Sequence, residues 1–496
     1  MKCLLLAFSM LATVAAHAAD KPNIIYILAD DLGYGDVQVL NPEHGKIPTP
    51  GMDRLAAEGM VFTDAHTSSS VCTPTRYGVL TGRYNWRSRL QSGVLFGFDQ
   101  PLIAPDRLTV PALLKAQGYK TAMIGKWHLG LGIRKPNGTP TRGKAAPVDG
   151  VDWSARIEGG PVDLGFDSWY GIAASLDMPP YIWIENDRFV GECTTVKAFH
   201  RKGPAHADFE AIDVLDAIGH KSAEFIAQQN AEEAFFMYVP LTSPHAPIIP
   251  SEKWQGKSEL GIYGDFVMHT DAIVAQITEA VDAAGLAENT IIIVTSDNGC
   301  SKVADIPALK AQGHYPNAHF RGSKSDIWDG GHRVPFIVRW PAAVKAGSSS
   351  DAIICLTDLM ATAADLTGAE LPVNAGEDSV SFAPALKGEP IISDRAGIVH
   401  HSVSGQFAYR SGKWKILLTQ ASGGWTKEKM AIKAPAQLYD MEADPSEQNN
   451  LYHSHPEVFE RLLAQLETDV ARGRSTAGPD QKNDTDRINL KRGMKR

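Results

Sequence analysis

Residues 23–31, NIIYILADD, decide the fold, because an unbroken run of apolar and β-branched residues ends in two carboxylates, Asp30 and Asp31. A short continuous apolar run is typical of a strand buried on both faces, and such strands form parallel sheets covered by helices. Three more segments repeat this pattern, residues 121–124 before GKWH, 235–239 before the SPH at 243–245, and 290–295 before SDNG. We therefore predict an α/β fold with a large, mostly parallel sheet.

Helical patterns separate these strands at residues 110–117, 213–229 and 263–284. In sheets of this kind a ligand binds at the carboxyl ends of the strands, so the four polar clusters are expected to face one crevice. Residues 135–163 are rich in Gly, Pro and charge and predict a long loop. That loop either lines the rim of the crevice or is only a solvated insertion.

The pattern changes after about residue 384. Strands are predicted at 398–409, 413–418 and 437–439, and an amphipathic helix at 456–470, which together indicate a smaller α+β domain with an antiparallel sheet. The last residues show almost no apolar periodicity. The predicted organisation is a signal peptide at 1–19, a catalytic domain at 20–385, a C-terminal subdomain at 386–470 and a loosely ordered tail at 471–496.

The first residues have the layout of a secretory signal. Lys2 precedes an apolar run at 4–16, and the small-x-small triplet at 16–18 predicts cleavage near Ala19. The alternative, a short membrane anchor, is disfavoured because the run is shorter than the roughly 20 residues that span a bilayer. We expect a periplasmic or secreted protein without a membrane span.

Composition excludes some function classes. The chain has 496 residues, of which 44% are hydrophobic and 21% charged, enough for a large core. A formal net charge of −9 argues against a nucleic-acid partner, which would need clustered Lys and Arg. Any attraction for an anionic substrate must therefore be local to its pocket.

Removal of the signal would leave four cysteines, too few for a disulfide scaffold in a chain of this size: Cys72, Cys193, Cys300 and Cys355. Since Cys72 is assigned a chemical role below, the other three cannot all pair with one another. At least one is therefore expected to be a buried free thiol, and the sequence assigns no bridge.

Two pairs of oxygen ligands follow buried strands, Asp30 with Asp31 and Asp297 with Asn298. All-oxygen ligation suits Ca²⁺ or Mg²⁺ and not zinc, and carboxylates combined with an amide carbonyl favour Ca²⁺ over Mg²⁺. Either pair alone is more often a helix cap or a turn. Because both pairs adjoin one crevice, they predict a divalent cation site.

Residues 67–76, TSSSVCTPTR, contain a CxPxR pattern and are followed by LTGR at 80–83. Pro74 near the start of a predicted helix would place Cys72 at the helix N-terminus, where free N–H groups favour an anion. Arg76, one turn along, could hold an anion with its planar guanidinium. On its own, the motif is equally compatible with a buried Cys beside a turn-forming Pro.

The CxPxR motif resembles the type I, formylglycine-dependent sulfatases, and the resemblance spans roughly residues 22–455, including GGHRVP at 330–335, LYD at 438–440 and DP at 444–445. It implies an alkaline-phosphatase-like sandwich and a sulfuric ester hydrolase. In the family a maturation enzyme oxidises the cysteine to formylglycine, which also ligates the metal. For Cys72 this implies a hydrated aldehyde as the nucleophile.

An aldehyde hydrate has two hydroxyls on one carbon, which gives it an advantage over serine. One hydroxyl attacks sulfur and expels the alcohol. The other loses its proton, and collapse to the aldehyde breaks the C–O bond and ejects sulfate. A serine would be left as a stable sulfate ester.

The resemblance assigns roles to four further residues. Lys126 and His128 in GKWHLG match a lysine that contacts sulfate and the nucleophile and a base that helps the intermediate collapse. His245 in SPHAP and Lys324 in RGSKSDIWDGGHRVP match the remaining pair, a general acid and a sulfate-binding cation. We assign the acid to His245 because its unperturbed pKa is closer to neutral than that of lysine.

The substrate is less well defined. Its candidate ligands are Asp177, Trp153, Arg188 and His332, each of which could equally have a surface or packing role. The SLDMPP segment at 175–180 resembles members that act on sulfated carbohydrates, so we expect a sulfated poly- or oligosaccharide substrate. Two alternatives stay open: a phosphonate or phosphodiester hydrolase of the same fold, and a non-catalytic protein that binds sulfated glycans. A non-catalytic protein is expected to lack a metal or nucleophile residue, and none is missing.

Overall fold

The computed structural model describes residues 21–494, so the predicted signal peptide at 1–19 lies outside the described residues. The strands of the described chain are β1 Asn23–Asp30, β2 Met60–Phe62, β3 Ala65–His66, β4 Lys120–Lys126, β5 Ser168–Ile172, β6 Ile184–Glu185, β7 Arg188–Phe189, β8 Thr195–Ala198, β9 Lys202–Ala205, β10 Phe235–Pro244, β11 Thr290–Ser296, β12 Phe336–Arg339, β13 Ser348–Ser350, β14 Ile354–Cys355, β15 Ile398–His401, β16 Phe407–Ser411, β17 Trp414–Leu417 and β18 Gln437–Asp440. The α-helices are α1 Pro50–Glu58, α2 Cys72–Thr81, α3 Val110–Ala116, α4 Val214–Ala227, α5 Gly261–Ala283, α6 Ile306–Ala311, α7 Leu359–Thr367, α8 Ala383–Leu386 and α9 Pro456–Ala471.

A ten-stranded sheet organises the molecule, in the order β13-β2-β12-β11-β1-β10-β4-β5-β6-β7. Strand β1 lies between β10 and β11 and is parallel to both, so that Ile25 faces Met237 on one side and Ile292 on the other. Strand β4 is parallel to β10, whereas β12 runs antiparallel to β11. The four strands predicted from their apolar runs are therefore adjacent and parallel, which confirms the predicted α/β fold.

The alternation of side chains along β1 shows why its whole length is apolar. Ile24, Tyr26 and Leu28 pack into one hydrophobic core, and Ile25 and Ile27 pack into a second core on the opposite face of the sheet. Helices α2, α3 and α7 contribute to the first core, and α1, α4 and α5 to the second. A strand between two helical layers has no solvated face, so it needs apolar residues at every position.

Helix α2 begins at Cys72, earlier than Pro74, and ends where Gly82 adopts a left-handed conformation with φ 61°. Pro74 is still within the first turn, where its missing N–H costs no intrahelical bond. All ten residues of the helix are buried. The predicted placement of Cys72 at a helix N-terminus is therefore confirmed.

The C-terminal region forms a second sheet, four-stranded and antiparallel in the order β15-β16-β17-β18, with α9 packed beside it. The single strand expected at 398–409 is wrong, because a turn through Ser404 and Gly405 divides it into β15 and β16. Gly405 has φ 76°, a conformation that ends an extended strand and that glycine adopts without penalty. The core of this sheet also takes in Tyr84 and Trp86 from the first part of the chain.

Residues 472–494 contain little regular structure beyond the short turn Leu490–Arg492, and some of them contact the rest of the chain. Asp484 pairs with the buried Arg83 at 2.9 Å, and Asn483 accepts a hydrogen bond of 3.0 Å from the buried Arg87. Ser475 is itself buried and donates to Asp378. Polar groups of the tail thus add partners to two buried arginines that also pair with Glu377 and Asp378, a role invisible to apolar periodicity.

Two further findings concern the described residues. The four cysteines within residues 21–494 are free and buried, which confirms the expectation of at least one buried thiol. No helix in this part of the chain is long and apolar enough to cross a membrane.

Candidate active site

Three segments bring their polar residues together beside the N-terminus of α2. Asp30 ends β1 and Asp31 follows it, Cys72 opens α2, and His245 follows β10. The potential ligand atoms of these four residues all lie within 4.8 Å of one another. The Sγ of Cys72 is 3.5 Å from Oδ1 of Asp30. This meeting point lies at the carboxyl ends of the central strands, as the sequence predicts.

The second predicted pair reaches the same cluster from the end of β11. Nδ2 of Asn298 donates to Oδ1 of Asp31 at 2.7 Å, and Oδ1 of Asp297 accepts the backbone N–H of Asp31 at 3.3 Å. Asp31 itself has φ 68°, an uncommon conformation for a residue other than glycine and one that occurs at functional sites. The structure thus brings together all four residues of the predicted cation site.

Three buried cations face the three carboxylates. Nζ of Lys126 donates to Asp30 at 2.5 Å, and Nζ of Lys324 lies 2.7 Å from Oδ1 of Asp31. Arg76 directs both Nε and Nη2 at Oδ2 of Asp297, at 3.0 Å and 2.7 Å. Three positive and three negative side chains balance within the site, so a bound divalent cation would give it the net positive charge that an anionic substrate needs.

The electrostatic environment acts differently on the acid and on the thiol. Burial alone would raise the pKa of Asp30, but Lys126, His245 and Arg76 hold it well below its ordinary value. Burial, followed by the charge of Asp297, raises the pKa of the Cys72 thiol well above its ordinary value. An unmodified Cys72 would therefore stay a protonated thiol and be a poor nucleophile.

The two candidate histidines differ in accessibility. His128 is fully buried, its Nε2 lies 2.8 Å from the carbonyl oxygen of Leu95, and its Nδ1 has no hydrogen-bond partner among the described residues. Burial and then the charge of Lys126 lower the pKa of His128 well below its ordinary value, so the ring is neutral. The side chain of His245 keeps 11% of its surface exposed, and its Nε2 is 3.8 Å from Oδ2 of Asp31. His245 is thus the one that faces an approaching substrate.

The donor set fits a hard divalent cation. Oδ1 of Asn298 is buried and lacks a hydrogen-bond partner among the described residues, although a buried acceptor rarely goes unpaired. It lies on the side chain that already contacts Asp31. Carboxylates joined by an unpaired amide oxygen are the ligands that calcium prefers.

Comparison with known proteins agrees with this geometry. A family model described as Sulfatase matches residues 22–369, and one described as N-sulphoglucosamine sulphohydrolase, C-terminal, matches residues 322–475. The chain belongs to the sulfatase family. It is a sulfuric ester hydrolase, and the resemblance seen in the sequence is confirmed.

Similar sulfatases span nearly the whole chain. The N-acetylgalactosamine-6-O-sulfatase of Bacteroides thetaiotaomicron is 34% identical over 91% of this chain and 93% of its own. Human arylsulfatase A is 30% identical, with 95% and 93% covered. A Bacteroides thetaiotaomicron protein, solved in a study of the metabolism of multiple glycosaminoglycans, superposes with a TM-score of 0.79 at 32% identity, covering 90% of this sulfatase and 99% of that chain.

The structure does not bring three of the predicted substrate ligands to the site. Arg188 lies in β7, the last strand of the sheet, and Trp153 packs edge-on against Phe189 in the same strand at 5.1 Å between ring centroids. Strands β5 and β6 separate that edge from β4, a distance of about 14 Å at the usual strand spacing. His332 is fully buried and stacks on His400 at 4.5 Å. Trp153 and His332 thus pack in the interior, whereas Arg188 lies at the surface with 59% of its side chain exposed.

The fourth, Asp177, lies near the rim. It pairs with Arg201, whose guanidinium lies 5.8 Å from the ring centroid of Phe96. Phe96 follows Leu95, the residue whose carbonyl contacts His128. Lys144 of the long loop lies over the same ring at 4.8 Å, so this loop lines the rim.

Sequence reasoning missed the residues that orient the site. Thr73 donates from Oγ1 to the carbonyl of His128 at 3.0 Å, and the carbonyl of Leu95 fixes the imidazole itself. Arg201, the partner of Asp177, was also missed. The hydroxyl of Thr73 beside Cys72 could have indicated a role, whereas a backbone carbonyl leaves no trace in a sequence.

Proposed function

We propose that this sulfatase hydrolyses sulfate monoesters of a carbohydrate at residue 72, converted from cysteine to formylglycine. The observation that carries the proposal is the position of Cys72, fully buried at the first turn of α2 and 3.5 Å from Asp30, among the cations Arg76, Lys126 and Lys324. A hydrated aldehyde there would supply one hydroxyl to attack sulfur and a second to release sulfate.

The side chains around residue 72 then have distinct tasks. Arg76 and Lys126 stabilise the negative charge that develops on the sulfuryl oxygens, and both are held in place by carboxylates. His128, neutral and with Nδ1 free of other partners, accepts the proton when sulfate is released. His245 donates a proton to the departing sugar oxygen, and Lys324 binds a sulfate oxygen from the same side.

We also propose that Asp30, Asp31, Asp297, Asn298 and residue 72 hold Ca²⁺, with Mg²⁺ less well suited. A bound divalent cation would neutralise negative charge on the substrate sulfate. The ammonium of Lys324 lies within 2.9 Å of both oxygens of Asp31, so it is placed to turn toward the substrate when the carboxylate ligates a cation.

The carbohydrate class is supported by the relatives. The relative with 34% identity carries the name N-acetylgalactosamine-6-O-sulfatase, which makes a sulfated amino sugar the first substrate to test. Asp177 with Arg201 offers a hydrogen-bonding pair for sugar hydroxyls at the rim. The cations around residue 72 also favour the binding of a sulfate ester, which carries a full negative charge.

Export and maturation complete the proposal. Residues 1–19 would direct the protein to the periplasm or outside the cell, and a separate maturation enzyme would oxidise Cys72 before or during export. We also propose that the catalytic domain ends at residue 385, where the C-terminal subdomain begins. Immunoblots of fractionated cells would reveal the location directly.

The decisive assay compares matched esters. Enzyme made with its maturation partner should release sulfate from sulfated sugars, and the Cys72→Ala variant should release none. A phosphonate ester tested beside the sulfate ester should turn over far more slowly. Preferential phosphonate hydrolysis, or equal sulfate release by the Cys72→Ala variant, would refute the proposal.

A further inference from the structure

Trp425 is unusual among the aromatic residues of this protein. It is the only exposed Phe, Tyr or Trp within residues 21–494, with 42% of its surface accessible. Burial of a large aromatic ring by a partner is favourable, so an exposed indole is a candidate contact surface where its neighbours also suit a ligand. No role in the proposed chemistry accounts for it.

The position of Trp425 ties it to the active site. Its backbone N–H donates to Oγ of Ser325 at 2.9 Å, and Ser325 directly follows Lys324. Lys324 is the cation that contacts Asp31. The loop that carries Trp425 therefore packs against the segment that delivers Lys324 to the site.

A second cation stands beside the ring. Nζ of Lys302 lies 5.1 Å from the ring centroid of Trp425. Lys302 starts the turn Lys302–Ala304, and Cys300, two residues earlier, accepts the backbone N–H of Lys324 at 2.9 Å. No carboxylate of residues 21–494 pairs with Lys302, so its charge is not neutralised by the protein.

The platform formed by Trp425 and Lys302 is held rigidly. Gly424 approaches Ser325 so closely that an added Cβ would lie 2.3 Å from the Ser325 carbonyl oxygen and 2.6 Å from a carboxylate oxygen of Asp326. Ser325 itself has φ 83°. The main chain on both sides of the contact is thus fixed, so the indole is presented without a large ordering cost on binding.

We propose that Trp425 and Lys302 form a second saccharide subsite, next to the one that holds the sulfated sugar; this inference rests on the proposed function. The indole stacks on the C–H face of the neighbouring pyranose ring. Lys302 pairs with an anionic group of that neighbour, a carboxylate or a second sulfate. Such a subsite would let a protein of net charge −9 hold a polyanionic chain.

The test compares substrates that differ only in the neighbouring sugar. The probes are N-acetylgalactosamine-6-O-sulfate, a chondroitin 6-sulfate disaccharide that carries this residue, and nitrocatechol sulfate, an aryl ester without sugar. Trp425→Ala should raise KM for the disaccharide about tenfold, the loss expected for one stacking contact, and leave kcat within about twofold. KM for nitrocatechol sulfate should not change.

Three further variants sharpen the result. Trp425→Phe should recover most of the lost affinity, because it retains an aromatic face. Val303→Ala, an adjacent residue with 55% exposure, is the matched control and should behave as the wild type. Lys302→Ala should weaken binding of the disaccharide at low salt and remove most of the salt dependence of its KM.

Several outcomes would overturn the subsite. An unchanged disaccharide KM in Trp425→Ala would do so, and so would an equal loss on the disaccharide and on nitrocatechol sulfate, which would indicate only a structural role. In both cases the proposed function would still hold if the wild-type enzyme turns over the two saccharides. A wild type that cleaves nitrocatechol sulfate but neither saccharide would overturn the proposed substrate class and the subsite together.

Discussion

Replacing His245 with alanine should slow the cleavage of sugar sulfates far more than that of activated aryl sulfates. Nδ1 of His245 donates to the carbonyl oxygen of Ala246 at 2.6 Å, which fixes the ring, so that in the protonated imidazolium Nε2 carries the proton for the leaving oxygen. A sugar alcohol is a poor leaving group and needs that proton, whereas a phenolate with a low pKa departs without it. The loss of turnover in His245→Ala therefore depends on how good the leaving group of the ester is.

The structure also indicates the magnitude. His245 is the more accessible of the two site histidines, with 11% of its side chain exposed, which suits direct contact with the leaving oxygen. Loss of a positioned general acid lowers kcat by roughly 100-fold to 10,000-fold, equivalent to about 3 to 5 kcal/mol of barrier. For nitrocatechol sulfate we expect a loss of less than about tenfold.

The assay is steady-state turnover of a sugar sulfate and of a series of aryl sulfates that differ in the pKa of the phenol. His245→Ala should steepen the dependence of log kcat on that pKa. His453→Ala, which alters an exposed histidine near Lys433, is the matched control and should leave the dependence unchanged. Equal losses on all esters would refute the assignment of His245 as the acid.

Three further predictions concern the metal, pH and the tail. Chelation with EGTA should abolish turnover, and added Ca²⁺ should restore it. At a Ca²⁺ concentration a hundred times Kd, binding should raise the free energy of unfolding by about 2.7 kcal/mol. Full activity of the metal-free enzyme would exclude the cation site. Burial alone would raise the pKa of Asp64, but Arg333 and His66 lower this pKa to about 2. The ionised Asp64 therefore contributes its full share to the free energy of unfolding above about pH 4, and this contribution is lost as the pH falls toward 2. Asp64→Asn should therefore cost about 2 kcal/mol in urea denaturation at pH 7, and less near pH 3; a cost that does not depend on pH would contradict this. Truncation after residue 476 removes Asp484, one of the two carboxylates that pair with Arg83, and should lower the melting temperature by several degrees in calorimetry. An unchanged melting temperature would show that the tail contributes nothing to stability.

The central sheet could be predicted because burial on two faces leaves a continuous mark in the sequence. Every residue of β1 is buried, so the strand is apolar up to Asp30, the first of the proposed cation ligands. The same holds for β11, which ends just before Asp297. Once the parallel order of these strands is inferred, their polar ends must converge, and the metal and catalytic residues follow.

The substrate residues could not be predicted, because their roles depend on contacts between distant segments. Arg188 and Trp153 look like ligands in the sequence but are placed at the sheet edge by the short strands β6 and β7. Conversely, Trp425 and Lys302 lie more than a hundred residues apart and meet only because Gly424 packs against Ser325. No local periodicity encodes such a meeting.

The proposed chemistry depends most on the chemical state of residue 72. Mass spectrometry of the peptide containing this residue, from active enzyme made with its maturation partner, tests that state directly. We predict an aldehyde or its hydrate in place of the thiol, with specific activity proportional to the converted fraction. Fully active enzyme that carries Cys72 as an unmodified thiol would contradict the account.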